Sequence, residues 1–280
     1  MQRLMQKIGW CSIARNRNGA IVGRLVALSV LVLASALVGS GTVQARCGTC
    51  DGDLNGDDGV TVDELVKAVN SALNGCVYNP TINPAEFVAA VDNPYFPLVP
   101  GTTFTYRSAD EDIVVTVTHD TKVILGVSCT VVHDVVSEDG ELKEDTFDWY
   151  AQDRDGNVWY FGEYTEAHEN GQVSTEGSWE AGVDGAKPGI VVLADPQVGD
   201  AYRQEYAPGV AEDRGEVLSR TESVTVEFGS FDNCLKTKDF TNLDPGNVEN
   251  KVYCPNVGQV LTVAVPGDTE REELVSITHE

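Results

Sequence analysis

Bases are scarce in this chain: 19 Lys and Arg stand against 44 Asp and Glu, a formal charge of −25. Five of the bases (Arg3, Lys7, Arg15, Arg17 and Arg24) fall in residues 1–45, a stretch without a single acid. Setting those five aside leaves 14 bases against 44 acids, a formal charge of −30. Such a body repels nucleic acid and anionic membrane surfaces, which excludes both as partners. Other absences narrow the chemistry. There is no Gly-x-Ser-x-Gly nucleophile elbow, since Gly229-Ser230 runs on into Phe231-Asp232, and there is no phosphate-cradling glycine motif. The four histidines, His119, His133, His168 and His279, are too dispersed to argue a metal triad, although His119 and His133 end neighbouring predicted strands and could approach. Cys47-Gly-Thr-Cys50 has no second CxxC and no nearby histidine, so neither zinc nor redox chemistry is supported. No internal repeat or low-complexity tract interrupts the chain.

What is present begins with an export signal. The basic start is followed by the apolar run Leu25–Gly39 and then by Val43-Gln44-Ala45, with small residues at −3 and −1. This is the pattern of a secretory signal peptide over residues 1–45, cut after Ala45. The start is long for a signal, which leaves an uncleaved anchor as the other form of the same segment. The apolar run is shorter than the roughly 20 residues a spanning helix needs. Arg46 before Cys47 spoils a lipid-anchor box. The expected location is secreted, periplasmic or cell-surface, with no membrane association beyond the signal. Cys11 leaves with the signal, and Cys47, Cys50, Cys76, Cys129, Cys234 and Cys254 remain, an even number in an exported chain. Disulfides are the expected state. The favoured arrangement keeps Cys76 with Cys47 or Cys50 and pairs Cys129 with Cys234.

The most legible stretch is Asp53-Leu-Asn55-Gly-Asp57-Asp58-Gly59-Val60-Thr61-Val62-Asp63-Glu64. Oxygen-bearing side chains fall at positions 1, 3, 5, 9 and 12, with apolar Val60 at position 8, which is calcium-loop spacing. Asp53, Asn55 and Asp57 would give side-chain oxygens, Gly59 its carbonyl, Thr61 a direct or water-mediated contact and Glu64 a bidentate carboxylate to Ca2+. Thr61 and Glu64 also form a capping box. Leu65, Val66, Val69, Ala72 and Leu73 then make one apolar stripe on a helix of about three turns, closed by Asn74-Gly75. Residues 51–75 resemble an EF-hand loop, more closely the half EF-hand of a dockerin repeat, which lacks an incoming helix. The resemblance implies calcium binding. Two features depart from it: Asp58 stands at position 6 where the family has Gly, and there is one repeat where cohesin-binding dockerins carry two.

Residues 77–94 carry three prolines and read as a linker with a short helical turn over Pro84–Val91. From Tyr95 to the end, β-branched alternating runs separated by Asx-Gly turns describe antiparallel strands. Runs at 103–107, 112–119, 122–133, 131–136, 143–151, 158–163 and 172–179 are followed by a Gly- and Pro-rich loop over 177–200 with one short strand at 190–193. Strands resume at 201–206, 214–228, 234–240, 247–254, 258–265 and 272–279. Eleven or twelve strands with almost no helix predict a mainly β fold over 95–280, an antiparallel sandwich or partly open barrel. The half EF-hand (loop plus one helix, residues 46–76) would precede it. The opening Tyr95-Phe-Pro-Leu-Val-Pro-Gly-Thr-Thr-Phe-Thr-Tyr106 is similar to that of many exported bacterial β-domains of unassigned function. Trp149, Tyr150, Trp159, Tyr160, Phe161, Tyr164 and Trp179 interleave with Asp145, Asp148, Glu163, Glu166, Glu176 and Glu180. They could form a glycan-binding or glycosidase face with paired carboxylates. The simpler expectation is that Phe147, Trp149 and Ala151 line the inner face of one strand while the acids point to water. The functional expectation is an exported calcium-binding protein, a binding or structural protein rather than an enzyme, whose β-domain takes an unknown protein or glycan. The alternative is a carbohydrate-active enzyme or accessory module.

Overall fold

The Asx-Gly pairs adopt the backbone that their side chains permit. The computed structural model describes residues 78–265 and 270–280, together with Val62, Leu65, Val66 and Val69. In it Asp139-Gly140 (φ 53° and 79°) and Asn170-Gly171 (φ 50° and 75°) each place two successive residues in the left-handed region. That is the type I′ turn whose twist matches a right-twisted hairpin. Leu125-Gly126 (φ 50° and 82°) does the same. It splits the run 122–133, expected as one strand, into the end of one strand and the start of the next. Leucine carries no turn signal, so the break was invisible locally.

The chain divides into a large unit, Asn79–Glu280, and a second unit that ends at Tyr78. In the second, Val62, Leu65, Val66 and Val69 are helical and exposed. The signal segment, the calcium-loop residues Asp53, Asn55, Asp57, Gly59, Thr61 and Glu64, and Cys47, Cys50 and Cys76 lie outside the described residues.

Described strands number sixteen, all paired antiparallel, after a 3-10 turn η1 (Pro84–Glu86). They are β1 (Phe87–Val88), β2 (Thr102–Arg107), β3 (Glu111–Ile124), β4 (Val127–Glu138), β5 (Glu141–Asp153), β6 (Val158–Glu169), β7 (Gln172–Ser174) and β8 (Trp179–Glu180). They continue as β9 (Lys187–Val192), β10 (Ala201–Arg203), β11 (Glu205–Tyr206), β12 (Asp213–Val226), β13 (Gly229–Thr241), β14 (Val248–Cys254), β15 (Gly258–Val265) and β16 (Arg271–His279). The count exceeds the expected eleven or twelve because the 177–206 region contributes several strands of only two to six residues. The order is β10-β12-β13-β14-β15-β16-β2-β3-β4-β5-β6-β9-β11, with β1 on β5 and with β7 and β8 on β6. The two ends of this path come together, β9 beside β10 and β11 beside β12, so the sheet is a nearly closed barrel. Gly162 (φ 127°) makes one junction possible, because a Cβ there would lie 2.2 Å from the Trp179 carbonyl oxygen.

Two apolar clusters result. One lies within the barrel, around Ile113, Val117, Val158, Leu235, Val260 and Leu274. The other includes Trp149, Ala151, Phe161 and Trp179, with Phe87 and Ile82 packed against it. The stretch expected as a linker therefore belongs to the body from Asn79 onward. Its helical turn ends at Glu86, β1 pairs with β5 (Phe87↔Asp153), and Val91 and Asn93 are buried. The cysteine arrangement is also corrected. Cys234 bonds Cys254 across β13 and β14, while Cys129 on β4 is buried and free. The ladder pairs Leu235 with Tyr253, which sets Cys234 and Cys254 side by side, whereas Cys129 sits in the second cluster.

Candidate functional site

Period-two alternation sends successive residues of a strand to opposite faces. On β5 this separates Asp148 and Tyr150 from Trp149 and Ala151. The first pair lines a cavity of about 120 Å3 inside the barrel, and the second lies in the other cluster. The expected orientation is thus reversed: Trp149 and Ala151 are buried on the outer side, Phe147 is exposed, and Asp148 is 2% exposed on the inside. The acids at 148 and 163 do not point to water. Alternation groups residues by face, but the β1 and 177–211 segments decided that the outer face would be covered.

One wall of the cavity is apolar. Phe104, Val115 and Asp134 follow one another across β2, β3 and β4 in register, so this wall adjoins a carboxyl directly. Val132 extends the apolar side, and Phe96, Pro97 and Leu98 close over it. Asn93 and Gln152 hold that covering segment in place. The Gln152 side-chain oxygen accepts the backbone N–H groups of Asp92 (2.9 Å) and Asn93 (2.8 Å), and Asn93 Nδ2 donates to the Gly156 carbonyl (2.8 Å). Phe96 then meets the rings of Tyr150 and Tyr253 with centroids 5.3 and 6.3 Å away.

The other wall is acidic: Asp134, Asp148, Glu205 and Glu272 line it, with Lys251 as the one base among the lining residues. Lys251 is already engaged, its ammonium 3.2 Å from Asp239 Oδ2. Burial opposes its charge, but Asp239, Tyr253 and Glu249 outweigh that and hold its pKa up. Asp239 is further satisfied by Thr237 Oγ1 (2.8 Å) and Gln204 Nε2 (3.1 Å). Tyr160 Oη lies 2.7 Å from Asp148 Oδ1 and 2.8 Å from Glu163 Oε2. A phenol has one proton to donate. Two such contacts therefore require a proton on one of the two carboxyls, and the geometry describes a proton shared along Asp148–Tyr160–Glu163.

Burial is the first cause of every carboxyl shift here, and neighbouring acids add to it. Asp134 is pushed well above the carboxylate range by burial and then by Asp148 and Glu144. Glu272 is raised by burial, Glu249 and Asp134, and Glu205 by burial and Asp213. Glu144 and Glu249 are each raised to about 7, and Asp213 to about 6. Three of the lining acids, Asp134, Glu205 and Glu272, each keep one buried carboxyl oxygen (Oδ1, Oε2 and Oε2) without a hydrogen-bond partner.

The remaining candidates fall elsewhere. His133 and His119 do not meet: the ladder sets His133 opposite Thr116, three residues from His119. His133 Nε2 is instead 2.8 Å from Asp145 Oδ1, and its ring stacks on Phe147 at 4.3 Å. Phe147 is in turn cross-strand from Tyr164, whose hydroxyl donates to Glu166 (2.7 Å). The aromatic and acidic residues of 145–180 are thus divided between an exposed row, a covered cluster and the cavity. Cys129 offers no nucleophile, since burial pushes its thiol up to about 12. Among the described residues there is no grouping of three or more His, Cys, Asp or Glu that could hold a metal ion. Sequence reasoning missed Asp134, Glu205, Glu272 and Lys251. Acids alternating with β-branched residues, as in Val132-His-Asp134-Val-Val136, look the same whether the alternate face meets water or a barrel interior.

No family model and no curated protein matches the chain. Two solved structures are similar to it in shape. One is a proposed exported protein with a YmcC-like fold from Bacteroides fragilis, 16% identical, covering 66% of this chain and 98% of that one, with a TM-score of 0.40. The other is a proposed lipoprotein from Parabacteroides distasonis, 13% identical, covering 66% of this chain and 99% of that one, with a TM-score of 0.41. Among the described residues no helix is long and apolar enough to cross a membrane.

Proposed function

We propose that the chain is an exported, non-catalytic binding protein. Its N-terminal unit holds Ca2+ at Asp53, Asn55, Asp57, Gly59, Thr61 and Glu64, and its barrel takes a small ligand in the acid-lined interior. The observation that carries the barrel reading is the cavity itself. It sets an apolar wall of Phe104, Val115 and Val132 beside the carboxyls of Asp134, Glu205 and Glu272, each of which keeps one oxygen without a partner. Pockets that combine apolar lining with a few convergent polar groups are the usual form of small-molecule sites. At about 120 Å3 the space suits a small molecule and not a polymer chain. Methyl NMR of Val115 and Val132 during titration with a panel of charged and neutral fragments tests this. Shifts confined to those methyls support it, and unmoved methyls with every fragment would sink it.

The calcium reading rests on the loop spacing. Helical geometry at Val62, Leu65, Val66 and Val69 supports it, being the phase an exiting helix capped at Thr61 would have. Calorimetric titration of calcium into the chelator-stripped mature protein should give heat for the wild type and little for Asp53→Ala or Glu64→Ala; equal heat in all three removes the site. The row His133–Phe147–Tyr164, flanked by Asp145 and Glu166, favours a second reading of the outer face as a glycan-binding accessory surface. Phe147→Ala should then abolish retention on an immobilised glycan panel, and an absence of retention by the wild type excludes it.

A further inference from the structure

Resting on the reading of the barrel as a binding site, we infer that its ligand is a small organic monocation of the alkylammonium kind. Its N–H groups would meet Asp134 and Glu272, and its apolar body would lie against Phe104, Val115 and Val132. Asp134 and Glu272 are 4% and 5% exposed, and each keeps one oxygen without a donor. A buried acceptor left unpaired is costly, more so when charged, and a ligand that donates to it recovers that cost. The lining acids outnumber the bases, and the one base, Lys251, is held by Asp239 at 3.2 Å. An anion entering this wall would therefore meet repulsion, whereas a cation would meet attraction. A bare inorganic ion would use only the acidic wall. An alkylammonium uses both walls.

Proton balance follows from the same groups. Asp134 faces Asp148 and Glu144, and Glu272 faces Glu249, Asp134 and Glu111, with Lys251 as the opposing charge. So many acids cannot all ionise in one interior, and without a ligand they retain protons. Entry of an ammonium stabilises one carboxylate, whose O–H bond breaks and whose proton leaves for solvent, so the charge inside is unchanged. Affinity must then rise with pH, by up to about tenfold per unit for one proton released.

The test is calorimetric titration of the full mature protein with propylammonium and, separately, with 1-propanol, at pH 5 and pH 8. Each titration uses two buffers of different ionisation enthalpy and is followed in parallel by the Val115 and Val132 methyl signals. Expected are binding of propylammonium at pH 8 with release of about one proton, at least tenfold weaker binding at pH 5, and at least tenfold loss in Asp134→Asn and in Glu272→Gln. Unfolding midpoints of both variants are measured beside the wild type, so that lost binding is read only in folded protein. Propanol that binds as tightly as propylammonium, with no proton release, overturns the cation and leaves the binding site standing. Methyl signals unmoved by either probe overturn both.

Discussion

The two faces of β5 carry opposite chemistry, and both are buried. Toward the barrel the strand presents Thr146, Asp148 and Tyr150, while away from it Trp149 and Ala151 lie under the second cluster. The outer side is sealed in an ordinary way, by aromatic packing. Phe87 meets Phe161 edge-on at 5.6 Å, and Lys122 lies 3.2 Å over the Trp149 ring while its ammonium pairs with Glu180 at 2.7 Å. The inner side is held partly by hydrogen-bonded polar groups whose ionisation is suppressed. A barrel needing only stability would exchange them, since buried polar groups cost more than well-packed apolar ones. The difference teaches that the outer cluster supports the fold while the interior retains polar groups at a cost to it.

That contrast can be broken at several points. The largest effect is expected from Phe161→Ala, which leaves a cavity in the fully buried outer cluster. It should lose about 3–5 kcal/mol in denaturant unfolding, and a loss below 1 would mean that the outer cluster is not the stabilising face. Next comes the barrel wall. Replacing Cys234 and Cys254 together by Ala frees a loop of sequence separation 20 and should cost about 3 kcal/mol. An unchanged unfolding midpoint would show that the ladder alone holds β13 to β14.

The interior is sharpened by pH. Burial above all raises Glu249 to about 7 in the folded protein, from an ordinary 4.5. The folded state therefore holds a proton that the unfolded chain has released between these values. Stability is greatest below about 4.5 and falls as pH rises toward 7, by an amount on the order of 3 kcal/mol for this group. Glu249→Gln should flatten that fall, as unfolding midpoints measured from pH 4.5 to 8 would reveal; a profile as steep as the wild type's would place the proton elsewhere. The smallest effect belongs to the exposed row, where Phe147→Ala removes a stacking contact with His133. About 0.5–1 kcal/mol is expected, and a loss as large as that of Phe161→Ala would contradict the division between the faces.

Some of this was readable residue by residue. Asp139-Gly140 and Asn170-Gly171 announce type I′ turns, and Thr103–Arg107 and Gly258–Val265 announce strands, because both signals are local. The turn at Leu125-Gly126 was not, because leucine hides it. The covering segment 79–94 was not either, because its prolines suggest a linker until β1 is seen beside β5. Of the site, Asp148, Tyr150, Tyr160 and Glu163 stood out as acids among aromatics. Asp134, Glu205, Lys251 and Glu272 come from other strands that only closure of the sheet brings to the same cavity.

The sequence by itself determined that the body would be antiparallel β with tight hairpins, and which residues of each strand would share a face. Side-chain alternation and turn chemistry act within a few residues and need no partner. Tertiary structure alone decided which face became the interior, that Cys234 would meet Cys254 and leave Cys129 free, and that four acids from four strands would line one cavity. Those outcomes depend on the hand and closure of a sheet in which β16 pairs with β2 from the far end of the chain, and on segments that cover its outer side.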